Sequence, residues 1–204
     1  MDVQKLVIYC ADVGSVARGR FGWARAAASA VEETLIGGTD ISDFADRAAK
    51  DLNEGMLVAV GFECPLWVPV AQAPARLTAG RPIDGDRPWS SGAGAGSLAV
   101  GLSEVVWVLD HLRQRVTNSV SAFLDWADLE AARRGLFLWE AFVSGEAKAR
   151  RRPDSRPDPL HVEDAKTGLR AFADVWRNMP QPDVAQGTAV YSLIGAALLR
   201  TGWS

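Results

Sequence analysis

The stretch Leu6-Val7-Ile8-Tyr9-Cys10-Ala11, closed by Asp12, constrains the fold more than any other part of the chain. Its apolar residues follow one another without alternation, so the segment has no face to give to solvent. Such a run predicts a strand covered on both sides, at the centre of a sheet flanked by helices. A second run of the same kind, Met56-Leu57-Val58-Ala59-Val60-Gly61-Phe62, ends at Glu63, and Pro65 and Pro69 bar its regular continuation. Between the two, Gly19–Ala28 predicts a strand that returns on the first as a hairpin, with Phe21, Trp23 and Ala26 as its strand residues. A third strand is expected around Glu32–Ile36, closed by Gly37-Gly38.

Helices are expected in the gaps. Thr39 or Asp40 caps one whose apolar residues Ile41, Phe44, Ala45, Ala48, Ala49 and Leu52 form a single stripe, with Gly55 as its stop. Residues 73–97 read as a loop rich in Pro, Gly, Asp and Arg. Ser97 then caps a long helix with Leu98, Leu102, Val105, Val106, Leu109, Leu112 and Val116 facing inward. Leu136–Val143 has the aromatic content of a further strand. Asp158 and Pro159 supply the cap and first position of a helix carrying Val162, Ala165, Leu169, Phe172, Ala173 and Trp176, and Val190–Leu199 predicts a last helix. Helices set between strands argue for a three-layer α/β fold with parallel pairs at its centre.

The chain has 204 residues, 48% hydrophobic and 23% charged, which suits one globular domain over 1–204 and excludes global disorder, collagen and a disulfide scaffold. Twenty-two basic residues against 25 acidic ones leave a net charge of −3, so any attraction for phosphate has to come from local patches. Cys10 and Cys64 form no CxxC pair and suit reduced thiols. The apolar stretch near the amino terminus is too short for a signal-peptide core or a bilayer span, so no membrane is expected and the cytoplasm is the expected compartment.

In open α/β sheets ligands gather beyond the carboxyl ends of the strands. Asp12 and Glu63 both fall there, and neighbouring strands lie about 4.8 Å apart. Two carboxylates that close repel unless a cation compensates, and Mg²⁺ or Mn²⁺ is the partner suited to oxygen-only ligands. Glu163 and Asp164, in a first helical turn and away from the apolar stripe, are expected at the rim of such a site, and Glu140 is a further candidate. Each acid also has a plain reading as a turn former, a helix cap or an ion-pair partner.

Asp12-Val13-Gly14-Ser15, the Phe21-Gly22-Trp23-Ala24 strand and Gly61-Phe62-Glu63-Cys64-Pro65-Leu66 together resemble the ribonuclease H-like superfamily, closest to its uncharacterised predicted nucleases. The loop with Arg81-Pro82 and Arg87-Pro88-Trp89-Ser90 before a glycine-rich helix start is similar too. The resemblance implies a mixed central sheet, antiparallel over strands 1–3 and then parallel, flanked by helices. It also implies divalent-metal-dependent phosphodiester hydrolysis of a nucleic acid. Relatives of the RuvC resolvase type place acids after strand one, after strand four and in the last core helix. By resemblance Asp12, Glu63 and Glu163 or Asp164 take those places, with Asp12, Glu63 and Asp164 as the catalytic set. The adjacent Glu-Asp pair departs from the spaced acids of resolvases. Since resolvases act as dimers, the resemblance admits a homodimer, although no exposed stripe marks an interface.

Several features suit a phosphate-bearing partner: Arg151 and Arg152 in the basic loop Lys148–Pro153, and Arg81 and Arg87 beside Trp89. Pairing of Arg81 with Asp84 or Asp86 is the structural alternative. Gly92–Gly96 offers backbone N–H groups to an anion but lacks the ending of a P-loop. Trp67 and Trp89, in proline-rich loops, suit a ligand surface, and His161 a proton-transfer aid or a plain surface residue. Two other functions compete with a nuclease. One is a non-catalytic binding module or pseudo-enzyme of the same fold. The other is a single lobe of the actin-like ATPases, disfavoured because that fold needs two lobes and a second phosphate motif.

Overall fold

Leu6–Asp12 forms β1, and all its residues are buried, as a run without a polar face requires. The computed structural model describes residues 5–84, 88–141, 159–179 and 189–203. A turn closed by Gly19 in the left-handed conformation (φ 62°) sends the chain back into β2, Gly22–Ala27, antiparallel to β1. Asp40 caps α2, Ile41–Asn53, by accepting the Ser42 and Asp43 N–H groups, and β4, Leu57–Phe62, follows it fully buried.

The expected strand at Glu32–Ile36 lies further on. Val31–Thr34 is a helical turn, α1, and Ile36–Gly38 forms β3 on the outer side of β2. Thr34 decides this locally: its hydroxyl donates to the Ala30 carbonyl and accepts the Ala27 N–H, holding the segment in a turn.

The remaining elements are β5 (Trp67–Pro69), α3 (Gly92–Arg115), β6 (Ala122–Phe123), α4 (Trp126–Ala132), β7 (Gly135–Glu140), α5 (Leu160–Val175), β8 (Val190–Ser192) and α6 (Leu193–Thr201). Pro159 takes the cap position of α5, and Asp158 lies outside the described residues. The final segment is not helical throughout. Val190–Ser192 pairs with β5 in a small antiparallel sheet before Ser192 caps α6.

The main sheet has the order β3-β2-β1-β4-β7-β6. β2 is antiparallel to both its neighbours, and β1, β4, β7 and β6 run parallel. Alternation along β1 splits the core in two. Val7, Tyr9 and Ala11 pack with α2, α3 and α6, while Leu6, Ile8 and Cys10 pack with α4 and α5. The chain is therefore a three-layer α/β fold. On the α2 side, the Tyr9 phenol and the Arg25 guanidinium both bond the Asp51 carboxylate.

Helix α3 departs most from its expected form. It begins at Gly92 rather than at Ser97, so Gly92–Gly96 forms its first turn, and Ser97 bonds the Gly94 carbonyl from within it. Its buried side is Gly94, Gly101, Glu104, Val105, Val108, Leu109 and Leu112, while Leu102 is exposed. The cause is Gly101, where a Cβ would stand 2.5 Å from the Cys64 sulfur. A bare backbone on that side lets the helix turn until Glu104 faces inward. By length and composition α3 is also the one helix among the described residues apolar enough to cross a membrane.

Candidate functional site

The parallel β1–β4 register pairs Ala11 with Phe62. The Glu63 N–H continues the ladder by donating to the Ala11 carbonyl at 2.7 Å. Asp12 and Glu63 thus leave adjacent strand ends side by side. Alternation puts both on the α5 side, after Leu6, Ile8 and Cys10 on one strand and Leu57 and Ala59 on the other. Asp12 is buried at 9% exposure, and Glu63 is half-buried.

Helix α5 closes over Asp12. His161 Nδ1 lies 2.5 Å from Asp12 Oδ2, a contact in which the ring N–H donates to the carboxylate. Asp164, one turn further along, is buried at 8% exposure. This corrects its expected place at the rim. The apolar stripe considered in sequence omitted Gly168, which is buried too and widens the sheet-facing side of the helix as far as Asp164. Glu163 points elsewhere, half-exposed, and pairs with Lys166 at 3.0 Å. Of the adjacent acids, Asp164 is the one turned to the sheet.

The close approach of α5 has a visible cause. Gly22 is the register partner of Asp12 on β2, and a Cβ there would stand 2.3 Å from the His161 carbonyl carbon. Gly37, beside it on β3, would meet the Val162 side chain at 2.7 Å. With these two side chains absent, the first turn of α5 rests on the backbone of β2 and β3.

From the opposite layer α3 brings Glu104, a residue with no sequence signal of its own. It is buried at 8% exposure and accepts the Gly14 N–H at 3.3 Å. Burial pushes its carboxyl up to about 7; the Asp12 charge adds to this, and the Gly14 bond opposes it. No cation pairs with Glu104 among the described residues.

Glu140 is not part of this arrangement. It follows Leu136 and Leu138 in the strand alternation, so it leaves β7 on the α3 side, away from Asp12 and Glu63. There it bonds the Leu66 N–H and, through both oxygens, the Arg81 guanidinium at 2.7 and 2.9 Å. Arg81 is no phosphate clamp in this setting. Its side chain is fully buried, bonds Asp84 at 2.7 Å and the Trp67 carbonyl at 3.0 Å, and stacks on the Trp67 ring at 4.6 Å. Trp89 is also an internal anchor, its indole N–H donating to the Ala79 carbonyl and its backbone N–H to Asp84. Burial alone would raise Asp84, but these bonds from Arg81 and Trp89 outweigh it and hold the carboxyl below its ordinary range. The cluster ties Ala79–Asp84 and Trp89 to β5 and the end of β7. Arg87, Arg151 and Arg152 lie outside the described residues.

Cys64 sits under Gly101 as a buried thiol, pushed well up by burial and then by the Glu140, Glu104 and Glu63 charges. It is no nucleophile in that state. Chemically, the carboxyl edge offers oxygen donors from β1, β4, α3 and α5, and one imidazole held on Asp12. As the side chains stand, no three His, Cys, Asp or Glu residues among the described ones are gathered closely enough to form a metal cage. No family model, no curated protein and no solved structure matches the chain.

Proposed function

We propose that the chain is a ribonuclease H-like phosphodiester hydrolase that acts on a nucleic acid with Mg²⁺ or Mn²⁺. One observation carries this reading: Asp12 and Glu63 leave adjacent parallel strands on the same side, where α5 brings His161 and Asp164. A mixed sheet with an acid after β1, an acid after β4 and a buried acid in the last helix packed on that face agrees with the arrangement the resemblance implies.

The donor chemistry fits a hard divalent ion, because the acids at this edge offer oxygen ligands. Asp12, Glu63 and Asp164 are the residues that would hold the ion, which when bound lowers the pKa of an attacking water and stabilises the leaving oxygen. The chain's own groups do the rest. His161 fixes the direction of the Asp12 carboxylate through Nδ1. Arg18 and Arg20 are exposed in the loop that leaves β1 just after Asp12, and neither has a carboxylate partner among the described residues. They are placed to meet the phosphates of a bound strand. The buried thiols suit the reducing cytoplasm as the working compartment.

The test is cleavage of labelled single- and double-stranded DNA and RNA with Mn²⁺, comparing wild type with Asp12→Asn. Cleavage by the wild type and its loss in the variant are the expected result. A well-folded wild type that neither binds Mn²⁺ nor cleaves any of these would end the proposal. The competing reading, a non-catalytic binding module, is favoured by the existing hold of His161 on Asp12; it expects nucleic-acid binding that Asp12→Asn leaves unchanged.

A further inference from the structure

Buried carboxylates in proteins are compensated, by a basic partner, by hydrogen bonds or by a metal. Asp51 has Arg25, Asp84 and Glu140 share Arg81, and Asp12 has His161. Glu104 is buried to the same degree, yet its one bond is the long contact from the Gly14 N–H, and no basic residue pairs with it among the described residues. Its burial is also built in. Gly101, one turn earlier on α3, gives up its side chain to sit on Cys64, and Cys64 follows directly on Glu63. The turn that seats the helix is thus the turn that aims Glu104 at the loop after Asp12.

We propose that Glu104 is a further carboxylate ligand of the divalent cation held at Asp12, reaching it from the helix layer opposite α5. This inference rests on the hydrolase reading above and extends it. Asp12 would then be bracketed across the sheet, with His161 and Asp164 supplied by α5 and Glu104 by α3. The counter-charge that Asp51, Asp84 and Glu140 draw from arginines would be supplied to Glu104 by the ion.

The test is calorimetric titration of the full chain with MnCl₂ alone at about pH 7.5, beside melting curves with and without the metal. Wild type, Asp12→Asn, Glu104→Gln and Glu104→Asp are compared. Wild type is expected to bind, and Asp12→Asn to lose binding. Glu104→Gln is expected to melt at least as high as wild type without metal, yet to bind Mn²⁺ at least about tenfold more weakly and to gain less melting temperature from it. Glu104→Asp should fall between them, and it serves if the glutamine variant does not fold. Mn²⁺ affinity unchanged in both Glu104 variants but lost in Asp12→Asn would overturn the inference and leave the hydrolase reading standing. A wild type that takes up no Mn²⁺ would overturn both.

Discussion

Asp12 and Gly22 face each other across the antiparallel β1–β2 pair, and the first turn of α5 lies where a Gly22 side chain would be. The acid is therefore met by His161 because its neighbour on the next strand has no Cβ. Gly22→Ala would set that Cβ 2.3–2.5 Å from backbone atoms of His161 and Val162, which cannot swing aside as a side chain can. The variant is expected to lose about 1–3 kcal/mol in urea denaturation, the usual range for overpacking. Its imidazole resonance, followed by NMR, should lose the signature of the Asp12 bond.

A similar test applies on the other face. A side chain at Gly101 would stand 2.5 Å from the Cys64 sulfur, so Gly101→Val should push α3 outward and withdraw Glu104. A stability loss of about 1–3 kcal/mol is expected. The double variant Gly101→Ala/Cys64→Ala makes room, and it should recover part of what Gly101→Ala alone loses.

Arg81 holds two buried carboxylates, so its removal leaves both uncompensated. Arg81→Met is expected to cost about 3–5 kcal/mol. If Arg81 met phosphate instead, the variant would keep its stability and lose nucleic-acid affinity, and chemical denaturation beside a binding titration separates the two.

The metal-free protein should show a pH dependence with an unusual sign. Burial, aided by Asp12, raises folded Glu104 to about 7 from an ordinary 4.5, so the folded state holds this proton more tightly than the unfolded chain. Its contribution is complete below about pH 4.5 and is lost as pH rises through about 7. Between about pH 5 and pH 8 this loss should reach about 2 kcal/mol, and Glu104→Gln should abolish it. Denaturation midpoints of the two proteins across that range, in a chelating buffer, decide the matter.

Arg18 and Arg20 are predicted to touch phosphate without reading sequence. The double change to Ala should weaken nucleic-acid binding about equally for all sequences and reduce the salt slope of the binding constant by about 2. An unchanged slope would remove these residues from the interface.

Much of the frame is legible in the chain itself. The runs Leu6–Ala11 and Met56–Phe62 became β1 and β4, since a segment with no polar face has only the middle of a layered sheet to occupy. The stripe from Ile41 to Leu52, with Asp40 before it and Gly55 after it, became α2 because period and caps agreed. Failures cluster where glycines or hydroxyls let tertiary contacts override the local pattern. Thr34 turned an expected strand into a helical turn, and Gly92–Gly96, loop-like by composition, continued α3.

The candidate site divides along the same line. Sequence determined that Asp12 and Glu63 end buried strands, because a strand's length and its terminal polar residue are local facts. Strand parity, which sends Glu140 to the far face and into the grip of Arg81, emerged only with the register. Only the tertiary structure decided that Asp164 and not Glu163 faces the sheet, that His161 reaches Asp12, and that Glu104 turns inward to the Gly14 N–H in the loop after it. Those choices depend on how each helix is rotated and how closely it settles. Rotation and depth are set by the missing side chains of Gly22, Gly37 and Gly101, and an absent Cβ has no meaning until the neighbour that fills its place is known.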